Sequence, residues 1–513
     1  MKISTYAQSL MVQQRSELLQ TRLFKANEQL ATGKRASQFS ELRAETSQTL
    51  TLRSSVRTVT QYVKTVEITD RRMTVMHDSL ERTNGIAKDV ATEALTGLYD
   101  NQLKLPYLQQ IAATRADEMI TLMNARFGER YLFAGAESNE APVADLKRML
   151  EGDPSDPAGP RQGLKDLIQV RKTVDAALPA ADLPAGQWPG HVEVRQDGAN
   201  LEFRLDDPAF EGFGFQLRSL RWDQATGGTG VATPTPAPEP PPAGPDTVPA
   251  IMLDTSSVTF HDEQTFRLIL EGPDGQEVEI ALTASDQFDD GRTDRFFMGA
   301  DPAVALRDAM IGALEREATT TLAASSAQQA ANEFFDDPPR LVRFDAGAGA
   351  WGAVEDQTDE VVRWYRGETD GDPRAGARAK IDDGVIMDYG IRADEAPLVD
   401  SLKQLALMAA TSYAPESEDA YRAMASRSAT LLSDAGERVR GLLGEHGTRM
   451  DLVVSMKERH QATETMATQQ LNDIENVSMQ EVASRILTLE TQLNASFELT
   501  ARSQNLNLTR FLR

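Results

Sequence analysis

No cysteine occurs anywhere in the 513 residues. That removes disulfides, thiolate nucleophiles and every zinc or iron–sulfur site built on cysteine. Basic charge is also short: 53 Lys and Arg stand against 78 Asp and Glu, a net charge of −25. Binding nucleic acid or lying on an anionic membrane needs the opposite sign, so neither is expected as a partner. No apolar run is long enough to span a bilayer, and the opening MKISTYAQSLMVQQRSELLQ lacks the apolar stretch of a cleaved secretory signal. Histidines number five, His77, His191, His261, His446 and His460, with no HExxH pairing. His446 and His460 are about 21 Å apart along a helix and cannot share a metal. His77 reads as a polar break in a helical seam. No Walker A or dinucleotide glycine fingerprint occurs, and Gly227-Gly228-Thr229-Gly230 leads into prolines rather than a helix. No cofactor, metal or catalytic site is expected.

What is present is unevenly distributed. Residues 141–395 hold 23 Lys and Arg against 47 Asp and Glu, a net of −24, whereas the rest of the chain nets −1. Only Pro106, Pro397 and Pro415 of the 24 prolines lie outside 141–395. With 40% hydrophobic residues there is material for folded cores. These shifts predict two helical chain ends around an acidic, Gly- and Pro-rich insert.

The ends carry helical periodicity. From Leu52 an apolar or small residue returns every seven positions at Val59, Val66, Met73, Leu80, Ala87 and Ala94, with Val56 and Val63 completing a 4,3 seam. The companion positions then run into Asp70, His77 and Asn84, which predicts a more polar second half. Leu19, Leu23, Ala26 and Leu30 repeat the spacing until Gly33, and Leu108 to Arg126 follows Pro106 as a further helix. Towards the C-terminus Ser417 is a candidate N-cap. Tyr421, Met424, Ser428, Leu431, Ala435 and Leu442 then form one stripe. A final helix carries Val482, Ile486, Leu489, Leu493 and Phe497, ending in Leu506, Leu508, Phe511 and Leu512. Helices of this length must lie against other helices, in this chain or in neighbours.

The insert alternates with period two. His191 to Asp206 turns at Asp197-Gly198, Phe266 to Leu282 turns at Asp274-Gly275, and Arg378 to Ile391 turns at Asp383-Gly384. Asp-Gly between two alternating runs signals a hairpin. The Pro-rich 233–249 reads as an extended spacer that forms neither helix nor central strand. Ala303 to Glu333 reads as helix, making the insert α+β. Asp289-Asp290, Asp336-Asp337 and Asp382-Asp383 sit beside turn residues, where Asp bonds locally. Asp370 and Asp372 lack the rest of a calcium loop. A carboxylate-dependent hydrolase in the insert has no positive support. The fold class expected is long helices forming a coiled-coil-like rod from both ends, with a central α+β insert rich in β-hairpins. The divisions are 1–40, 41–140, 141–395 (with 233–249 as a candidate internal divider), 396–478 and 479–513.

Several stretches then carry a resemblance. The opening Met1-Lys2-Ile3-Ser4-Thr5, the turn Leu30-Ala31-Thr32-Gly33-Lys34-Arg35 and NARFGERYLFAG at 124–135 resemble the bacterial flagellin family, the last being closest to its hook-associated protein 3 branch of hook–filament junction proteins. So do Val362-Arg363-Trp364-Tyr365-Arg366-Gly367, the return Leu398 to Ala410, Asp473-Ile474-Glu475-Asn476-Val477 and the terminal LNLTRFLR. The resemblance covers roughly 1–140 and 360–513, and no motif matches between them.

It implies a structural subunit, not an enzyme, found outside the cell in the flagellum and secreted without a cleaved signal peptide. The implied partners are the flagellar type III export apparatus, an export chaperone, hook-associated protein 1, flagellin and further copies of itself in a ring. Flagellin itself, the filament subunit, is the open alternative. The terminal segments 1–32 and 480–513 each have one apolar stripe and little else to bury it against. They are expected to be mobile in the monomer and to pack when subunits stack. The residues expected to carry subunit packing are Leu19, Leu23, Leu30, Ile486, Leu489, Leu493 and Phe497.

Overall fold

A computed structural model describes residues 5–38, 41, 45–99, 105–157, 159–225, 227–238, 247–287, 292–345, 350–354, 357, 359–411 and 418–511. In chain order the elements begin with α1 (Thr5–Thr32), α2 (Thr46–Tyr99) and α3 (Leu105–Met123). A small hairpin follows, β1 (Arg126–Phe127) and β2 (Arg130–Tyr131), then α4 (Leu146–Glu151) and α5 (Leu164–Val174). The strands of the insert are β3 (Val192–Asp197), β4 (Asn200–Leu205), β5 (Gln216–Asp223), β6 (Thr229–Ala232), β7 (Thr235–Pro238), β8 (Thr247–Asp254), β9 (Thr265–Glu271), β10 (Glu277–Ser285) and β11 (Arg295–Phe297). Helices α6 (Pro302–Glu317) and α7 (Ala323–Phe335) are joined by a π-helical turn, Ala318–Leu322. Two hairpins come next: β12 (Leu341–Asp345) with β13 (Ala350–Val354), and β14 (Arg378–Asp382) with β15 (Val385–Asp388). The chain closes with α8 (Ala396–Ala410), α9 (Glu418–Glu475) and α10 (Met479–Phe511).

These elements make two compact units, one from the described residues of Met1–Arg71, Ala379–Met387 and Met450–Arg513, the other from those of Arg72–Arg378 and Asp388–Arg449. The long terminal helices around a β-rich insert are the fold class read from the sequence. At 54 and 58 residues, α2 and α9 are about 81 and 87 Å long.

The seam of α2 differs from the one expected. Val59, Val63, Val66, Met73, Leu80, Ala87 and Ala94 are buried, but the companion lane continues through Thr69, Met76, Thr83 and Val90. Asp70, His77 and Asn84 stay half-exposed at its edge. A straight helix of 3.6 residues per turn drifts against a seven-residue repeat, so the buried companion moves from the +4 to the +3 position. The result is an unbroken 3,4 alternation from Val66 to Ala94. In α9 the buried stripe takes Met424, Ser428, Ala435 and Leu442 as expected, with Leu432 filling the place given to Leu431, which is half-buried. The side chain of Tyr421, together with Ser417, lies outside the described residues, as do Met1 to Ser4, Asp289-Asp290 and the last two residues of LNLTRFLR.

All three hairpins form. In the first, Asp197 pairs with Asn200, so the turn is centred one residue later than expected, on Gly198 (φ 58°) and Ala199. The second runs from Glu271 paired with Glu277 to Thr265 paired with Thr283, and the third turns at Asp383-Gly384. Two sheets result, of strand order β11-β10-β9-β5-β6 and β3-β4-β8-β7. With α6 they share one core that includes Phe203, Phe215, Phe266, Leu268, Leu306 and Met310. Asp301 caps α6 by accepting from Ala303 N at 3.1 Å and Val304 N at 3.2 Å, and Pro302 occupies its first turn.

The Pro-rich segment needs correction as a mere spacer. Its ends pair, Thr235 with Ala250 through Pro238 with Thr247, making β7 the edge of the four-stranded sheet. Proline lacks the N–H a central strand must donate. Pro249 avoids that conflict because β4 pairs with β8 only from Ala250 onwards. Residues 239–246 lie outside the described residues. Both sheets draw strands from each side of this segment, since β8 joins β4 and β9 joins β5.

Candidate assembly interface

In the first unit α1 packs along α10. Leu19, Ala26, Val482, Ile486 and Leu489 are buried together, with Leu23, Leu30, Val477 and Leu493 half-buried against them. Six of the seven residues singled out from the sequence are thus brought into one apolar cluster within the chain. The seventh, Phe497, is not, being 47% exposed. The 4,3 alternation that starts at Val482 passes through Ser496, which is buried, and Thr500, so the larger aromatic falls beside the stripe. Ala26, Val477 and Val482 complete the cluster, and all but Val477 obey the same spacing.

The loops that end α1 and α9 are tied together. Gly33 takes a positive φ of 69° and its N–H bonds to Gln29 O at 2.8 Å, closing the helix without the cost a side chain would add. Gly33 O then accepts from Val477 N at 3.1 Å, and Arg35 N donates to Glu475 O at 2.6 Å. From α2, Arg53 grips the Glu475 carboxylate with both arms of its fork, Nε to Oε1 at 2.6 Å and Nη2 to Oε2 at 2.7 Å. That hydrogen bonding holds the Glu475 carboxyl below its ordinary range. The LATGKR turn and the DIENV segment, from opposite ends of the sequence, therefore form one joint.

Beyond their mutual stripe, α1 and α10 show apolar side chains to solvent. Leu10, Met11, Leu18 and Phe24 are exposed on α1, and Met479, Leu487, Phe497 and Leu499 on α10. Met11 and Leu18 are seven residues apart and so share one face, off the buried stripe. Phe24, Leu487 and Leu499 are each more than 60% exposed. Large apolar side chains left outside a helix pair in this number can still gain by association, at roughly 25 cal/mol per Å² removed from water.

A second meeting of sequence motifs lies in the other unit. The Asn124 amide brackets Val143, donating to its O at 2.9 Å and accepting from its N at 3.0 Å. Val143 bridges to Tyr365, Ala144 N donates to Trp364 O at 2.9 Å and Arg366 N to Pro142 O at 2.7 Å. Phe133 is buried beneath, its carbonyl taken by Ala393 N at 3.0 Å. Gly135, at φ 66°, brings the chain so near Glu368 that a Cβ would strike the carboxylate, whose Oε2 accepts from Ala136 N at 2.8 Å. Burial raises the Tyr365 hydroxyl far above its ordinary value, and it donates to Glu368 O at 3.2 Å. NARFGERYLFAG and VRWYRG thus fold against one another.

The polar residues weighed for chemistry are engaged in local structure. His446 Nε2 meets Met73 O at 3.0 Å, with His77 stacked on its ring. His460 Nε2 meets Ile381 O at 2.7 Å and its ring stacks on Tyr62. Asp336 pairs with Arg340, Asp382 with Arg459, and Asp372 caps a short turn through Arg374 N at 2.9 Å. Gly227 to Gly230 runs into β6 and not into a helix. A cleft of about 580 Å³ in the second unit is lined by Asp336, Asp337, Asp370, Asp394 and Asp400 together with Lys403. Burial raises the Asp394 carboxyl, against the pull of Arg392 at 3.0 Å. Among the described residues no three His, Asp or Glu side chains are placed to hold a metal, and no helix is long and apolar enough to cross a membrane.

Residues 3–138 match the family model described as the bacterial flagellin N-terminal helical region. The match takes in α1, α2, α3 and the β1–β2 hairpin. No curated protein matches the chain.

Proposed function

We propose that this chain, which opens with a flagellin N-terminal helical region, is a structural subunit of the bacterial flagellum that sits at the hook–filament junction. Its subunits join by packing of the terminal helices, between hook-associated protein 1 on one side and flagellin on the other. The observation that carries the reading is the α1–α10 pair, which unites the two chain ends yet leaves Met11, Leu18, Phe24, Leu487 and Leu499 in solvent. Such side chains fit a surface that neighbouring copies cover in a ring. The chain reaches that place outside the cell through the type III export apparatus, with a chaperone masking the amphipathic 482–512 until assembly.

The MKIST opening and YLFAG favour the junction branch. Flagellin, the filament subunit, is the second reading, favoured by the description of the matched N-terminal region. Copy number separates the two. Gold-labelled antibody against the insert should mark one cluster at the distal end of each hook. Label along the whole filament would make the chain a flagellin, and unlabelled flagella would remove both readings.

A further inference from the structure

His446 of α9 is 1% exposed, and its Nε2 lies 3.0 Å from the backbone oxygen of Met73 in α2. A carbonyl can only accept, so Nε2 carries the proton and Nδ1 is the basic nitrogen of the neutral ring. One helical turn beyond Met73, His77 stacks on this ring with centroids 6.1 Å apart and planes 17° from parallel. The Nδ1 of His77 is buried and has no hydrogen-bond partner. All these residues belong to the second unit.

The surrounding charges come from three directions. On α9, Arg449 bonds to Glu445 at 2.8 Å. From the turn Pro373–Gly376, Arg374 reaches Glu445 at 3.3 Å and Glu395 at 2.7 Å. On α2, Arg72 turns aside to the Tyr389 hydroxyl at 3.5 Å and lies over the Phe127 ring. The two carboxylates, Glu395 and Glu445, are therefore already engaged by guanidinium groups. Burial, then His77, Arg449 and Arg374, all oppose its charge, while the Met73 carbonyl alone favours it.

We propose that the stacked His77–His446 pair is an acid-sensitive joint between α2 and α9. Taking up a proton at His446 sets a cation against His77, Arg374 and Arg449 and opens the packing around residues 73–80, whereas at neutral pH the joint stays closed. The sign follows from linkage. The folded-state value of His446 is held below the ordinary 6.5, so as pH falls from 6.5 towards that lower value the opened form binds more protons than the closed one. The closed form accordingly loses stability towards acid and keeps it above neutrality. The proposal uses nothing of the flagellar reading and stands or falls separately from it.

The test is hydrogen exchange of the full chain at pH 7.5 and 5.0, with rates corrected to a common intrinsic rate, in the wild type and in His446→Gln. Glutamine keeps an N–H to offer Met73 O but cannot take a proton. Protection over 73–80 and 442–449 should fall severalfold on acidification in the wild type. It should change less than about twofold in the variant. An equal loss in both proteins, or none in the wild type, overturns the proposal. If the variant does not fold at pH 7.5, nuclear magnetic resonance titration of His446 in the wild type decides. A midpoint below 6.5 that coincides with the loss of protection supports the joint; a midpoint at or above it, or no coincident loss, overturns it.

Discussion

Glu475 sits at the last position of α9 and takes both arms of the Arg53 fork while its own carbonyl receives Arg35 N. One residue, through its carboxylate and its backbone carbonyl, therefore fastens three parts of the first unit: the start of α2, the end of α9 and the turn after α1. A bidentate, partly shielded pair is stronger than the usual surface ion pair, and Arg53→Ala should lower unfolding free energy by about 1 kcal/mol at pH 7. The pH dependence is fixed in sign. The Glu475 carboxyl is lowered from 4.5, so its contribution is complete above that value and disappears as pH falls through the lowered one. Urea unfolding at pH 7 and at successively lower pH would show a gap between wild type and variant that narrows in acid. Equal midpoints at pH 7 would mean the pair is incidental. None of this was legible from the residues alone, because Arg53 and Glu475 are remote in sequence and nothing in either neighbourhood marks a partner. The histidines were half-legible: exclusion of a shared metal site for His446 and His460 needed only helix geometry. The His77–His446 stack, by contrast, required the register of α2 against α9.

At the scale of elements, the long helices and three of the hairpins were readable, while α5, the β5–β6 and β12–β13 hairpins, the lane assignment and the strand order were not. Heptad spacing located α2 and the α1 and α10 stripes, and three Asp-Gly turns located three hairpins. The companion lane of α2 was misread because Thr69 and Thr83 look polar, although a buried threonine can return its hydroxyl to the helix, as Thr69 does to Thr65 O at 2.9 Å. For the same reason Ser496 was passed over for Phe497 in α10. Size and apolarity were weighed, but the 4,3 phase decides which side chain is covered. The pairing of β5 with β9, or of β4 with β8, joins segments far apart in the chain, and alternation says only that each strand has a buried face. The lane assignment can be checked directly. Met76→Ala should cost about 2–4 kcal/mol, as expected for a fully buried methionine, while Asn84→Ala should cost less than about 1 kcal/mol. Similar costs from urea unfolding would return the seam to the lane through Asp70, His77 and Asn84.

For the whole molecule, what persuades is the convergence of distant sequence. The Gly33 turn meets Val477, and the stretch ending at Gly135 meets Trp364 to Glu368. Each joint therefore needs segments from both halves of the sequence before it can close. The terminal pair has little to lean on, since α1 and α10 share one narrow stripe and leave Leu10, Met11, Leu18, Phe24, Leu487 and Leu499 exposed. Placing two carboxylates in that stripe, by Leu489→Glu with Leu493→Glu, buries charge with no partner, which costs several kcal/mol unless the helices separate. Separation is the expected outcome, and with it the loss of any surface the pair offers to neighbours. On the proposed function, cells carrying the double variant should be non-motile, with no subunits on the flagellum. Hydrogen exchange should show lost protection in 5–32 and 479–511, while the core of Phe203, Phe266 and Leu306 in the second unit remains protected. The conservative pair Leu489→Met with Leu493→Met keeps the apolar volume and should assemble. Assembly by the glutamate variant would move subunit packing away from α10, whereas failure of both variants with intact helix protection would show that shape at these positions, not apolarity, governs contact between copies.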